Sequence, residues 1–239
     1  MFAPDIGLAM DVYKPALTAG RKAPVVVFFY GGAWQRGEKS QYRFIGRRLA
    51  ENGVLVFIAD YRTYPRAVFP KFVDDAARAV RRVRDDAAKW GGDPQRLFLA
   101  GHSAGAHIAA LLATDSRYLQ RYDVKTTGLA GVVGLSGPYD FVVSGRLQDV
   151  FGASEGWPDA QPLNFVDGDE PPFLLVHGVR DRVVETKDSI ELAEKLRVHG
   201  VGVELKLLPK GTHSTPLVGL YDPRREPAVL RAVLDFVRK

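Results

Sequence analysis

Apolar residues fall into two kinds of run along this chain. Residues 25–30, Val25-Val26-Val27-Phe28-Phe29-Tyr30, are apolar at every position. A strand of that kind must be covered on both faces, as a central strand between two helix layers is. Residues 54–59 read as a second buried strand, and 97–100, 129–135, 172–176 and 203–208 as further strands. Near the start, Leu8, Met10 and Val12 alternate with Ala9, Asp11 and Tyr13. That period of two predicts a half-buried strand ending at Pro15, at an antiparallel edge. Other stretches repeat at three and four. After Pro70, Val73, Ala76, Val80, Val83, Ala87 and Trp90 form one stripe, with Arg78, Arg81, Arg82, Arg84 and Lys89 on the other side. This predicts a long amphipathic helix, stopped by Gly91-Gly92-Asp93-Pro94. Ser40 is placed to cap a helix through Leu49, with Asn52-Gly53 as its stop. Residues 187–198 and 227–239 read as two more helices, and 18–22 as a turn. Buried strands alternating with helices predict an α/β fold with a doubly wound, mostly parallel sheet and helices on both faces.

With 239 residues, the chain is expected to form one α/β domain spanning 1–239. Residues 138–171 break the pattern: they are rich in Gly and Pro and only weakly periodic. They join two strands on the side where open α/β sheets bind ligands. The segment reads either as a short lid or pocket wall, or as a plain surface insertion.

Composition narrows the chemistry. There are no cysteines, so a thiol nucleophile, disulfides and thiolate metal sites are excluded. The net charge of +5 comes from basic residues interleaved with acids, the pattern of a solvated face and not of a nucleic-acid footprint. No apolar run reaches the length needed to span a membrane. The first residues, Met1-Phe2-Ala3-Pro4-Asp5, lack the features of a signal peptide, and a cytoplasmic location is expected.

The chemistry centres on Gly101-His102-Ser103-Ala104-Gly105. A short strand precedes it and a run of small residues suited to a helix follows. Strand, sharp turn and helix is the setting a nucleophile elbow needs, with small residues where a tight turn crowds its neighbours. Ser103 would stand exposed above the sheet edge. Its hydroxyl needs a base, commonly a histidine oriented by a carboxylate. Of five histidines, His102 sits in the elbow pointing elsewhere, and His107 is expected to pack or hydrogen-bond under it. His177 ends a strand and His199 ends a helix. His213 lies in a loop after the last strand, and the chain order Ser, Asp, His selects it. The acid should follow a strand between them. Asp181, in His177-Gly178-Val179-Arg180-Asp181, occupies that place. Asp140 is the rival, with a turn or capping role as its simpler explanation. Backbone N–H groups of Gly31-Gly32-Ala33, after a central strand, and of Ala104 are available to a developing oxyanion.

These stretches carry a resemblance. YGGAWQRGEK, ADYRTYP, KWGGDPQRLFLAGHSAGAHIAA, HGVRDRVV and KGTHS together cover most of residues 25–213. On them the chain resembles α/β-hydrolase carboxylesterases of the lipase/esterase type with an HGGxW oxyanion loop. Within that group it is most similar to isoprenylcysteine methylesterase-like and kynurenine formamidase-like enzymes. The resemblance implies Ser103, Asp181 and His213 as catalytic triad, and Gly31, Gly32 and Ala104 as oxyanion donors. It implies hydrolysis through an acyl-enzyme, with no metal or organic cofactor. One position departs from the pattern: Tyr30 stands where the family has histidine. Tyr30 and Trp34 flank the loop and are expected at the substrate-binding side, the Tyr30 hydroxyl either bracing the loop or merely packing. A short lid implies small esters with short acyl chains. An arylformamidase acting on an N-formyl amide would use the same machinery, and a silent hydrolase-fold binding protein is the alternative outside catalysis.

Overall fold

The computed structural model describes residues 1–18 and 20–239; of the turn expected over 18–22, Ala19 lies outside the described residues. Among the described residues one sheet has seven strands: β1 (Met10–Tyr13), β2 (Ala23–Phe29), β3 (Leu55–Ala59), β4 (Gly92–His102), β5 (Gly131–Leu135), β6 (Phe173–Gly178) and β7 (Val203–Leu208). Their order is β1-β3-β2-β4-β5-β6-β7. Edge strand β1 runs antiparallel to β3, Met10 opposite Ala59 and Tyr13 opposite Val56. The other pairings are parallel, so the expected doubly wound sheet is the observed one.

The helices are α1 (Arg43–Glu51), α2 (Lys71–Asp86), α3 (Ala104–Thr114), α4 (Ser116–Gln120), α5 (Leu147–Phe151), α6 (Thr186–Val198), α7 (Thr215–Tyr221) and α8 (Pro227–Arg238). The all-apolar strands explain two layers. Val25, Val27 and Phe29 point to one face, where they share a core with Val73, Val80 and Val83 of α2, Ile108 and Leu112 of α3 and Leu192 of α6. Val26 and Phe28 point to the other, against Ile45 and Leu49 of α1 and Val233 and Val237 of α8. Each such side chain contributes roughly 1.5–3 kcal/mol when fully buried. The central strands therefore hold both layers to the sheet.

The sequence reading departs from the structure locally. Ser40 caps nothing: it lies inside a 3-10 turn, Lys39–Tyr42, and its hydroxyl bonds Glu38. Trp90 falls in a second 3-10 turn after α2 and is 42% exposed, because the helix ends before its stripe reaches Trp90. Helices α4, α5 and α7 were not expected; they span too few turns to show a period. Residues 138–171 hold α5 and three 3-10 turns, with Val150, Phe151 and Ala160 buried. Among the described residues no helix is long and apolar enough to cross a membrane.

The topology places the site. From β2 the chain passes to β3 on one side and then returns to β4 on the other. The loops after β2 and β4 thus part at the sheet's C-terminal edge, and a crevice opens between them.

Candidate active site

Ser103 sits between β4 and α3 with φ 54° and ψ −123°. A non-glycine residue there stores on the order of 1–3 kcal/mol of backbone strain. Close packing holds it. A Cβ on Gly101 would lie 2.2 Å from the Gly105 backbone, and one on Gly105 would lie 2.1 Å from the Phe29 carbonyl oxygen. Any side chain at either position would push helix, strand and β2 apart. The Ser103 N–H donates to the Leu135 carbonyl at 2.9 Å, which ties the elbow to β5.

The loops after β6 and β7 meet beside it. His213 Nδ1 lies 2.8 Å from Asp181 Oδ2, and the Asp181 side chain is fully buried. Burial pushes the Asp181 carboxyl upward, but the Val184 and Val183 amides and the His213 imidazole outweigh it and hold it below the usual range. Those amides donate to Oδ1 at 3.0 and 2.8 Å. An ionised Asp181 only accepts, so the proton of neutral His213 resides on Nδ1 and Nε2 is left bare. His213 stands against the elbow: its ring lies 4.8 Å from the His102 ring, and its carbonyl is 3.0 Å from His102 Nε2. No hydrogen bond joins Ser103 Oγ to His213 among the described residues. In unliganded hydrolases this contact is often long and tightens with substrate.

Asp140 is exposed at the pocket mouth and makes no bond to His213, so the structure brings Asp181, not Asp140, to His213. His177 has more to do than end a strand. Its Nε2 faces the Val184 carbonyl and Asp181 Oδ2, both at 3.2 Å, and its Nδ1 meets Ser189 Oγ at 2.7 Å. A carbonyl can only accept, so Nε2 carries the hydrogen and supports the carboxylate. Its place at the end of the strand leading to Asp181 was the only sequence signal. His199 closes α6 on the Lys195 carbonyl.

The loop after β2 corrects two expectations. The Gly31 amide is engaged: it donates to Tyr42 Oη at 3.1 Å. Gly32, Ala33 and Trp34 all have positive φ, 137°, 53° and 58°. The Gly32, Ala33 and Ala104 amides meet no protein acceptor among the described residues. Of the three loop amides expected to be available, those of Gly32 and Ala33 are free and that of Gly31 is not. Tyr30 is not at the substrate side. It is 2% exposed, stacks on Tyr61 at 4.5 Å and donates its hydroxyl to the Tyr61 carbonyl at 3.1 Å; the Tyr61 hydroxyl returns a bond to the Tyr30 carbonyl at 2.8 Å. Two tyrosines brace the strand end that the family's histidine would occupy.

Trp34 does line the crevice. A pocket of about 320 Å³ is bounded by Ala33, Trp34, Ser103, Pro138, Phe141 and Leu147, among others. Trp34 donates Nε1–H to His107 Nδ1 at 3.2 Å, and His107 Nε2 meets the Ala160 carbonyl at 2.7 Å. Burial pushes His107 down to about 4, so it is neutral and bridges Trp34 to the 138–171 segment. A larger cleft, about 830 Å³, lies between α1 and α7 beside Arg43, Arg47 and Tyr221; Ser103 does not line it.

The family model described as BD-FAE matches residues 10–196. A probable isoprenylcysteine alpha-carbonyl methylesterase of Oryza sativa subsp. japonica is 34% identical over 90% of this chain and 56% of its own length. Esterase LipQ of Mycobacterium tuberculosis is 30% identical over 95% of this chain and 58% of its own. The chain thus spans little more than half the length of these curated relatives. Among solved structures, a truncated form of a carbohydrate esterase from gut microbiota superposes with TM-score 0.79 and 25% identity, over 96% of this chain and 89% of that one. The apo form of Thermogutta terrifontis esterase 2 gives TM-score 0.78 and 25% identity, over 95% and 86%. The fold is that of the α/β-hydrolases.

Proposed function

As the chain belongs to the BD-FAE family, we propose that it is a serine carboxylesterase acting on small esters with short acyl chains. The observation that carries the reading is the Asp181–His213 pair, 2.8 Å apart and packed against a strained serine elbow that opens on a pocket. In this reading His213 Nε2 takes the Ser103 Oγ proton as the hydroxyl attacks the ester carbonyl. Asp181 holds the Nδ1–H and stabilises the imidazolium that forms. The carbonyl oxygen, now an anion, is received by the Gly32, Ala33 and Ala104 amides, whose fixed positions require no reorganisation as charge develops. His213 then passes its proton to the departing alcohol, and an acyl-Ser103 ester remains. Water, deprotonated by His213, attacks that ester; collapse releases the acid and returns the proton to Ser103.

Residues 138–171 serve in this reading as a pocket wall built into one domain with the rest of the chain. Pro138, Phe141 and Leu147 face the Ser103 pocket, and His107 fastens the segment through Ala160. A pocket of about 320 Å³ is at the small end for ligand sites, which supports short acyl groups and a small-molecule substrate. The test is turnover by the purified protein of p-nitrophenyl acetate, butyrate and octanoate beside an N-formyl aryl amide. The reading expects kcat/KM to be highest for the short esters. Preference for the formyl amide would make it an amidohydrolase, and no turnover of either would refute catalysis.

A further inference from the structure

Three hydrogen bonds run from the oxyanion loop to the histidine loop. The Gly31 N–H reaches Tyr42 Oη at 3.1 Å. Tyr42 Oη lies 3.3 Å from His102 Nδ1, and His102 Nε2 lies 3.0 Å from the His213 carbonyl. Their directions follow from chemistry. The His213 carbonyl can only accept, so His102 carries its hydrogen on Nε2. His102 is buried, which pushes its pKa down to about 4, so the ring is neutral and Nδ1 is bare. Nδ1 therefore accepts from the Tyr42 hydroxyl, and burial raises that hydroxyl's own pKa and keeps its proton on. The hydroxyl oxygen in turn accepts from Gly31, an amide that can only donate. Every donor finds an acceptor.

The chain links four parts of the fold: the loop after β2, the start of α1, the elbow and the loop after β7. It is tightly enclosed. A Cβ on Gly31 would lie 2.9 Å from His102 Nδ1 and 3.1 Å from Ser103 Cβ. The Tyr42 ring packs on Phe28 and Tyr30 at 5.6 and 6.2 Å.

We propose that Tyr42 and His102 are positioning residues of the esterase site: one directed chain holds the Gly31 amide, which sets Gly32 and Ala33 as oxyanion donors, and holds the His213 main chain, which sets the base. Neither side chain touches the reacting atoms. The inference rests on the serine esterase reading and adds to it two groups outside the triad. It accounts for a histidine directly before the nucleophile and for a Gly31 amide turned away from substrate. Because the oxyanion and the imidazolium exist only along the reaction, loosening the chain acts on kcat and spares KM.

The test uses Tyr42→Phe, His102→Leu, His102→Gln and the double variant Tyr42→Phe/His102→Leu, with steady-state kinetics on p-nitrophenyl acetate and thermal unfolding of each. Tyr42→Phe is expected to lower kcat about tenfold or more, with KM within about twofold, since a small misplacement near the reacting atoms has a large effect on rate. His102→Leu should do the same, and the double variant should be no worse than the more damaged single one, because the chain acts as a unit. His102→Gln keeps an N–H for the His213 carbonyl and should recover part of the loss. Tyr42→Phe with kcat within about twofold of wild type would overturn the proposal. So would effects that multiply in the double variant, or changes in melting temperature with kcat per folded molecule unaltered. Should Tyr42→Phe not fold, the two His102 variants decide: equal kcat in both, or no loss in either, overturns it. A wild-type protein that does not hydrolyse the ester fails the esterase reading itself, a result distinct from any variant matching an active wild type.

Discussion

Replacing His107 with leucine removes two hydrogen bonds from a fully buried position. Trp34 Nε1–H loses its acceptor and the Ala160 carbonyl its donor. Each unpaired buried group costs about 1–3 kcal/mol, so the variant should lose about 2–6 kcal/mol at neutral pH. The loss should depend on pH with a definite sign. Burial lowers the His107 pKa from 6.5 to about 4. Between those values the unfolded chain holds a proton on this imidazole and the folded one does not. Wild-type stability therefore falls as pH drops through 6.5 toward 4, by as much as about 3 kcal/mol from this group. Leucine has no such proton. His102, lowered in the same way by burial, is present in both proteins and cancels from the difference. The deficit of His107→Leu should be largest at pH 7.5 and should shrink steadily as pH falls to 4.5. Urea unfolding at four pH values in this range, analysed for free energy, measures it. A deficit that is constant or grows on acidification would refute the argument that His107 is a neutral bridge.

Asp181→Asn keeps an oxygen for the Val183 and Val184 amides but presents an N–H donor to His213, so kcat on p-nitrophenyl acetate should fall about 10⁴-fold, while Asp140→Asn, altering an exposed carboxylate, changes it by less than about fivefold; the reverse ranking would move the acid to the β5 loop. Tyr30→Phe deletes the bond to the Tyr61 carbonyl and keeps the ring stack, so chemical denaturation should show a loss of about 0.5–1.5 kcal/mol with kcat within about twofold; a tenfold fall in kcat at unchanged stability would put the hydroxyl to work on the loop.

The central strands are legible because their apolar runs are continuous and rich in β-branched and aromatic residues, as a sheet covered on both faces requires. Edge strands β1 and β7, by contrast, carry Asp11, Glu204 and Lys206 and are only partly buried. Ser103 was legible because strain and crowding dictate its neighbours: Gly101 and Gly105 are the residues the packing at the elbow admits. Chain order pairs His213 with Asp181, and the 2.8 Å contact between them is tertiary information that order alone only implies. The engagement of the Gly31 amide is not legible in the loop after β2, because Gly31 and Gly32 look alike in sequence. What separates them is the Tyr42 hydroxyl, eleven positions away on the Gly31 amide. Tyr30 differs from expectation for a related reason: its partner Tyr61 lies in the loop just after β3, and no local pattern pairs the two. The partners of His107 and His102 are not legible because the sequence does not show which carbonyls face their ring nitrogens.

In the proposed mechanism Ser103 is a nucleophile made reactive by its place in the fold. That role is tested most directly by treating the native protein with a fluorophosphonate and locating the adduct by peptide mass spectrometry. The account predicts one adduct per chain, on Ser103, absent from Ser103→Ala and formed far more slowly in His213→Ala. An adduct on another residue, or undiminished labelling of Ser103→Ala, would contradict it.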